Sequence, residues 1–194
     1  EKRLGTNPIS IAMPSDLEGP FFIDMATSAV AAGKINLAKA RGTGIPHGWI
    51  VDGDGNPSNN PDDLDVGGAI LPLGADQGHK GYGLSSIVEI FSGILTGLGF
   101  GHDPSGRHND GSFMAVFNVA AFRELSDFKK EVKELALYLK NSETAPGFDE
   151  ILYPGEIEHR NELKQRDSGI FVEDSTFESL EKLAGEFGVA DQLF

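Results

Sequence analysis

Short apolar runs separated by turn-forming residues are the first pattern along the chain. Runs of this kind are typical of strands, and they occupy residues 9–13, 21–26, 49–51 and 69–74. Residues 113–122 alternate and then become apolar, which predicts a further strand.

Longer stretches repeat apolar residues every three or four positions, which predicts helices with one buried face. The repeat is clearest at residues 84–98, 126–139 and 175–187, and Gly188 is expected to end the last of these helices. An Ala-rich helix is expected at 29–40 and a short charged helix at 157–166. Hydroxyl side chains are expected to cap three of them. The expected caps are Thr27 and Ser28, Ser126, and Ser175 in a capping box with Glu178.

The mixture of strands and helices indicates an α/β or α+β fold. The composition changes near Pro146, after which the chain is helical and charged. We therefore expect a sheet domain at residues 1–145, and at 146–194 the C-terminal helical part of an incomplete second domain. Because the first residues lead directly into a core strand without an initiator Met, we expect the chain to be a piece of a longer polypeptide.

Composition narrows the range of partners. The 194 residues include 16 Lys+Arg, 30 Asp+Glu and no Cys, giving a formal net charge of −14. This charge argues against nucleic acids and anionic membranes as partners, since both need clustered cations. The absence of Cys excludes thiolate catalysis and Cys-ligated metals, and it is compatible with a cytoplasmic protein. An anionic ligand would have to be bound locally, by main-chain amides or one or two cations.

The most specific local motif is Gly78-His79-Lys80-Gly81-Tyr82-Gly83 at the start of a helix. Glycines allow a ligand close to the backbone, the helix N-terminus offers free N–H groups, and Lys80 adds a full charge. These features suit a pyrophosphate or carboxylate, although the spacing matches neither a Walker loop nor a Rossmann fingerprint. On spacing alone, a plain glycine-rich turn with an exposed Lys is an equal alternative.

Two further candidates are carboxylates beside predicted helix starts. Asp24 could accept hydrogen bonds from a ribose or cap the following helix, and capping is favoured when the residue is taken alone. Tyr153-Pro154-Gly155-Glu156 places a glycine and a carboxylate at another helix N-terminus, where a simple Pro-Gly turn is favoured.

Metal binding is a weaker alternative at two loops. Asp52, Asp54 and Asn56 have the alternation of a calcium loop, but the later positions lack its Gly and Glu, so a hairpin or surface turn is favoured. A loop with two histidines and two aspartates could form a weak transition-metal site, although a solvated loop is favoured. Its four residues are His102, Asp103, His108 and Asp110.

Taken in order, five segments resemble the malate/L-lactate dehydrogenase family that lacks the Rossmann fold. They are Gly5-Thr6-Asn7-Pro8-Ile9, residues 22–28, residues 44–49, residues 78–84 and Tyr153-Pro154-Gly155-Glu156. The resemblance covers nearly the whole chain, and the pair Asp-Met-Ala-Thr-Ser and His-Lys-Gly-Tyr-Gly in this order is specific.

The resemblance implies NAD- or NADP-dependent hydride transfer between a small 2-hydroxy acid and its 2-oxo acid, or to a related C=N bond. It implies a nicotinamide-binding sheet domain, a helical domain built from both chain ends, and a homodimer. It also implies three cofactor-contacting segments, and His79 is a weaker candidate beside the second of them. The implied segments are Asp24, Met25 and Ala26; Lys80 and Gly81; and Gly155, Glu156 and Ile157.

The resemblance assigns no catalytic residue in this chain. Family members carry the acid/base His and a substrate-binding Arg ahead of the Gly-Thr-Asn-Pro segment. None of the five histidines matches that motif; they are His47, His79, His102, His108 and His159. We therefore expect a segment before residue 1, or another polypeptide, to supply the acid/base. The sequence leaves NAD and NADP open, with Arg41 a candidate for a 2′-phosphate. A non-catalytic binding or scaffold protein that kept the fold is the alternative function.

Overall fold

A computed structural model describes residues 2–102 and 111–192 of the chain. Two strands near the N-terminus, β1 (Ile9–Met13) and β2 (Phe21–Met25), form an antiparallel hairpin. Ile9 pairs with Met25 and Met13 with Phe21, so β2 runs in full register with β1. The apolar runs thus correctly predicted both strands.

A second antiparallel sheet has three strands of two residues each, in the order β4–β3–β5. They are β3 (Ile50–Val51), β4 (Pro57–Ser58) and β5 (Ala69–Ile70). This sheet packs on α1 (Ala32–Ala40), where Ile35 and Ile50 are almost completely buried. Burying two such aliphatic side chains stabilises the domain by about 2 kcal/mol each.

The remaining helices follow along the chain. They are α2 (His79–Glu89), which continues into a π-helical turn (Ile90–Ile94), α3 (Leu125–Lys140), α4 (Glu156–Ser168) and α5 (Asp174–Phe187). Short 3₁₀ turns lie at Pro61–Val66, Ala75–Gln77, Val119–Ala121 and Ala190–Gln192. Gly188 ends α5 in the left-handed conformation, as predicted. The mixed helix and strand class is therefore confirmed.

The strand predicted at 113–122 is wrong. Residues 111–118 have no regular secondary structure and pair with no strand of the described chain, and a 3₁₀ turn follows them. The Asn118 side chain accepts a hydrogen bond from Ala120 N at 3.0 Å and opens that turn. Phe113 instead stacks on Phe91, with 4.7 Å between ring centroids. Alternation alone cannot supply the neighbouring strand that a ladder needs.

The predicted caps are also wrong, because their hydroxyls have other partners or lie inside the helices. The Thr27 hydroxyl donates to the carbonyl of Asn7 at 2.8 Å, and that of Ser28 donates to the carbonyl of Val30 at 2.8 Å. Helix α1 begins only at Ala32. Ser126 and Ser175 each lie inside a helix, the second residue of α3 and of α5.

Several contacts cross the predicted domain boundary at residue 146. Phe22 N donates to the carbonyl of Pro154 at 3.1 Å, and the ring of His159 lies directly under Gly19. The start of α4 is therefore packed against the β1–β2 hairpin, while the division into two domains stays a prediction. Within residues 2–102 and 111–192, no helix is long and apolar enough to cross a membrane.

Candidate functional site

The end of β2 carries the first predicted segment. Asp24 lies opposite Ser10 in the hairpin and is exposed, while Met25 and Ala26 are half-buried. Asp24 sits well before α1, so the capping alternative for this residue is wrong. Its carboxylate lies one residue before the end of the strand.

The second segment forms the first turn of α2. His79 and Lys80 are exposed, and Gly81 is buried. Across the part of the chain that the structure describes, the main-chain N–H groups of His79 and Lys80 have no acceptor, and the Lys80 ammonium has no carboxylate partner. Free N–H groups at a helix start and an unpaired cation together form a local positive region on an acidic chain.

Gly81 is required by the packing of this turn. A Cβ at this position would overlap the carbonyl oxygen and the nitrogen of Leu73 and would lie 2.8 Å from its Cα. The Gly81 N–H donates to that same carbonyl at 3.1 Å. The glycine therefore brings the helix start into direct contact with the strand-like segment that follows β5.

A short chain of hydrogen bonds connects the first two segments. Thr27, which follows Ala26 directly, accepts from Leu73 N at 3.0 Å through its carbonyl. The carbonyl of Leu73 in turn accepts from Gly81 N. Leu73 thus bonds both to the residue after Ala26 and to the first turn of α2, and it holds the end of β2 next to the start of α2.

The third segment lies at the other end of β2. Gly155 has a positive φ of 95°, and a Cβ there would lie 2.5 Å from the Pro20 carbonyl oxygen. The Tyr153 ring stacks on Phe21, with 6.1 Å between centroids. Since β2 has five residues, its two ends are roughly 13 Å apart. The first and third segments therefore lie at opposite ends of β2, with Asp24 exposed at one end and Ile157 at the other, and the second segment adjoins the Asp24 end.

The Glu156 carboxylate is directed inward and is only 7% exposed. It accepts hydrogen bonds from Lys140 Nζ at 2.5 and 2.7 Å, from Arg160 Nη2 at 2.6 Å and from Tyr153 N at 3.2 Å. Burial disfavours its charge, but the Lys140 ammonium and these other donors outweigh burial and hold the pKa of Glu156 below its usual value. This side chain locks α4 to the end of α3.

Sequence reasoning did not find the partners of Glu156. Arg160 lies four residues after Glu156 on α4, a spacing that favours an ion pair and was available in the sequence. Lys140 comes from α3, and nothing local in the sequence indicates it. Arg41, considered for a 2′-phosphate, instead forms an ion pair with Glu173 at the start of α5.

The metal alternatives receive no support from the described residues. Asp52 Oδ1 accepts from the main-chain N–H of Asp54 at 3.0 Å and of Asn56 at 2.8 Å, closing the hairpin between β3 and β4. The favoured hairpin is thus confirmed. No group of three metal-ligating side chains occurs within 2–102 and 111–192. In the second candidate loop, Asp103, His108 and Asp110 lie outside the described residues.

The structure combines small antiparallel sheets with helices, and glycine-containing segments lie at both ends of strand β2. Residues 1–181 match the family model described as malate/L-lactate dehydrogenase. The chain therefore belongs to the malate/L-lactate dehydrogenase family.

Individual relatives agree with this assignment. The chain is 40% identical over 194 residues to an L-sulfolactate dehydrogenase of Methanocaldococcus jannaschii, covering 97% of this chain and 54% of that protein. It is 36% identical over 197 residues to a malate dehydrogenase of Pyrococcus horikoshii, covering 97% of this chain and 54% of that one. The chain thus spans about half the length of the curated relatives it matches.

Solved structures show the same fold. The malate dehydrogenase of Entamoeba histolytica superposes with a TM-score of 0.83 at 28% identity, over 96% of this chain and 56% of that one. The malate dehydrogenase of Pyrococcus horikoshii gives a TM-score of 0.80 at 31% identity, over 96% and 52%.

Proposed function

We propose that this chain is the cofactor-binding part of an NAD- or NADP-dependent dehydrogenase acting on a small 2-hydroxy acid. The observation that carries the proposal is the alignment of three glycine-containing or acidic segments along β2 and the start of α2. The three segments are Asp24–Ala26, His79–Gly81 and Gly155–Ile157. The substrate class is supported by the relatives, which are malate, lactate and sulfolactate dehydrogenases.

The start of α2 suits the negatively charged part of a dinucleotide. The unpaired N–H groups of His79 and Lys80 can donate to phosphate oxygens, and the Lys80 ammonium adds charge attraction. This local region matters because the chain as a whole carries a net charge of −14, which repels an anionic cofactor.

The two ends of β2 suit the outer parts of the same cofactor. The exposed Asp24 carboxylate can accept hydrogen bonds from sugar hydroxyls. At the other end, the Glu156 carboxylate is already saturated by Lys140 and Arg160, so contact there would go through the main chain of Gly155 and the exposed Ile157. Because the two ends of β2 are roughly 13 Å apart, a ligand that contacts both ends has to be extended rather than compact.

The bound nicotinamide would accept or supply the hydride. Oxidation of a 2-hydroxy acid removes a hydride from its C2 atom and a proton from its hydroxyl oxygen. The side chains named here bind and orient the cofactor, and the proton acceptor is not assigned to any of them.

Titration with NADH, followed by nicotinamide fluorescence, tests this proposal. Wild-type protein should bind, and Lys80→Ala should weaken binding about tenfold, the loss of one charge-assisted hydrogen bond. Lys34→Ala, a matched change of an exposed lysine on α1, should leave the affinity unchanged. Repeating the titration with NADPH distinguishes the two cofactors.

Activity assays of the longer polypeptide that supplies the acid/base address the alternative of a non-catalytic scaffold. That polypeptide should reduce the 2-oxo acids that correspond to malate, lactate and sulfolactate, with consumption of NADH. Binding of neither NADH nor NADPH would contradict the proposed function, and binding without turnover of any 2-oxo acid by the longer polypeptide would favour the scaffold.

We also propose a homodimer in the cytoplasm. Exposed apolar residues along α2 and the following turn, including Ile87 and Leu95, support an interface. The Cys-free composition fits a reducing compartment in which nicotinamide cofactors are available.

A further inference from the structure

Asn7 adopts a conformation that is uncommon for a residue with a side chain. Its φ is +41°, in the left-handed region, which asparagine tolerates better than most residues. This backbone turns the chain just before β1. It also aims the side-chain amide away from the strand and towards α2.

The Asn7 amide bonds to two groups of α2. Nδ2 donates to the carbonyl of Ser85 at 3.1 Å and to Glu89 Oε2 at 2.7 Å. The other oxygen of the Glu89 carboxylate accepts from Gly101 N at 2.5 Å. The Asn7 amide therefore donates to a carboxylate whose other oxygen is already bound to Gly101 N.

The main chain at the same position is bound to the end of β2. Thr27 is completely buried, and its hydroxyl donates to the carbonyls of Asn7 at 2.8 Å and Thr6 at 3.2 Å. Thr27 follows the Asp24–Ala26 segment directly in sequence. Asn7 thus bonds to Thr27, two residues after β2, through its main chain and to α2 through its side chain.

We propose that Asn7 is a positioning residue for the cofactor, setting the position of the α2 start relative to the end of β2. The inference rests on the proposed function, because the two segments it spaces are the proposed cofactor-contacting ones. One ligand that touches both segments needs their separation to be correct to within a hydrogen-bond length. Asn7 reaches both elements without touching the ligand.

A reciprocal exchange tests the role of the amide. Asn7→Asp places a carboxylate against Glu89, and both the donor and the charge balance are lost. Adding Glu89→Gln exchanges donor and acceptor. The Gln side chain at position 89 can donate through Nε2 to the Asp carboxylate at position 7, while its Oε1 still accepts from Gly101 N. Asn7→Gly is the second variant, because it keeps the positive φ and removes only the side chain.

The measurements are the Kd for NADH and the thermal midpoint of unfolding of the purified protein, with the Kd taken at a temperature well below every midpoint. We expect Asn7→Asp and Asn7→Gly to raise the Kd about tenfold, and the Asn7→Asp, Glu89→Gln pair to recover most of the affinity. Ile35→Val, a change in the core on α1, should lower the midpoint without changing the Kd.

The outcomes distinguish failure of the positioning role from failure of the proposed cofactor binding. If wild-type protein binds NADH and the Asn7 variants bind equally well, the positioning role is overturned. A Kd that follows the thermal midpoint across all variants, Ile35→Val included, reduces Asn7 to a stability residue and also overturns it. Absence of NADH binding by the wild type overturns the proposed function, and the positioning role with it.

Discussion

Two glycines of the same helix turn differ sharply in what surrounds them. A Cβ on Gly81 would collide with the Leu73 main chain, whereas a Cβ on Gly83 would meet no described atom within 4 Å. Gly81→Ala should therefore lower the free energy of unfolding by about 2 kcal/mol and weaken NADH binding. Gly83→Ala should raise that free energy by about 0.5–1 kcal/mol, the usual helix preference for alanine. Urea unfolding of both variants is the measurement, and equal effects would contradict the close contact at Gly81.

Glu156 is the residue in which burial and charge oppose each other most directly. Replacing it with Gln removes the charge between Lys140 and Arg160, and we expect a loss of about 2 kcal/mol in the free energy of unfolding. Glu150 binds the same two cations at 3.8 and 2.5 Å but is half exposed, so solvent screens its charge and Glu150→Gln should cost clearly less. Chemical denaturation at neutral pH should rank the two variants in this order.

The same residue predicts a pH dependence. Because the folded-state pKa of Glu156 lies below its ordinary value of 4.5, the ionised carboxylate stabilises the folded state at every pH above that value. The contribution is lost as the pH falls through the folded-state pKa. The difference in stability between wild type and Glu156→Gln should thus be constant from neutrality to about pH 5.5 and shrink below pH 4.5. A difference that grows on acidification would contradict the direction of the pKa shift.

At the scale of elements, the β3–β4 hairpin depends on one side chain. Asp52 accepts from two main-chain N–H groups and from Asn56 Nδ2 at 3.3 Å, and these bonds hold the pKa of its carboxyl below the usual value. Asp52→Ala should lower the thermal midpoint of unfolding, because it leaves these donors without their acceptor, and Asp54→Ala should be nearly neutral. Thermal unfolding with and without calcium checks both points. A large calcium-dependent stabilisation would restore the calcium loop as an interpretation.

Elements whose signal is local were predicted well from the sequence. The apolar repeats of α3 and α5 and the runs of β1 and β2 need only neighbouring residues to be recognised. The strand expected at 113–122 failed because a strand also needs a partner. Thr27 failed as a cap because its hydroxyl bonds to Thr6 and Asn7, far away in the sequence.

The candidate site divides in the same way. Gly81 and Gly155 could be singled out from the sequence because glycine-rich motifs at helix starts signal close backbone approach. The bonds from Asn7 to Glu89 and from Lys140 to Glu156 join residues 82 and 16 positions apart, and no spacing rule indicates them. Tertiary contacts of this kind decide where the motifs lie relative to one another.

At the scale of the whole molecule, an extended apolar surface is exposed within the described residues. It runs along α2, the π-helical turn and the residues after it, where Ile87, Leu95 and Leu98 are 52%, 63% and 53% exposed. A contiguous apolar stripe on a chain with a net charge of −14 cannot be explained by solubility, since water favours polar groups there. An exposed apolar surface of this kind fits a protein–protein interface.

If this surface forms the proposed dimer interface, charges placed on it should separate the subunits. The double change Ile87→Glu, Leu95→Glu buries two like charges in each subunit's half of a symmetric contact, at a cost of several kcal/mol. We expect analytical ultracentrifugation to show half the wild-type mass, with helix content by circular dichroism unchanged. Leu163→Glu, which alters an equally exposed leucine on α4, should leave the mass unchanged. A dimer that survives the double change and dissociates with Leu163→Glu would move the interface from α2 to α4.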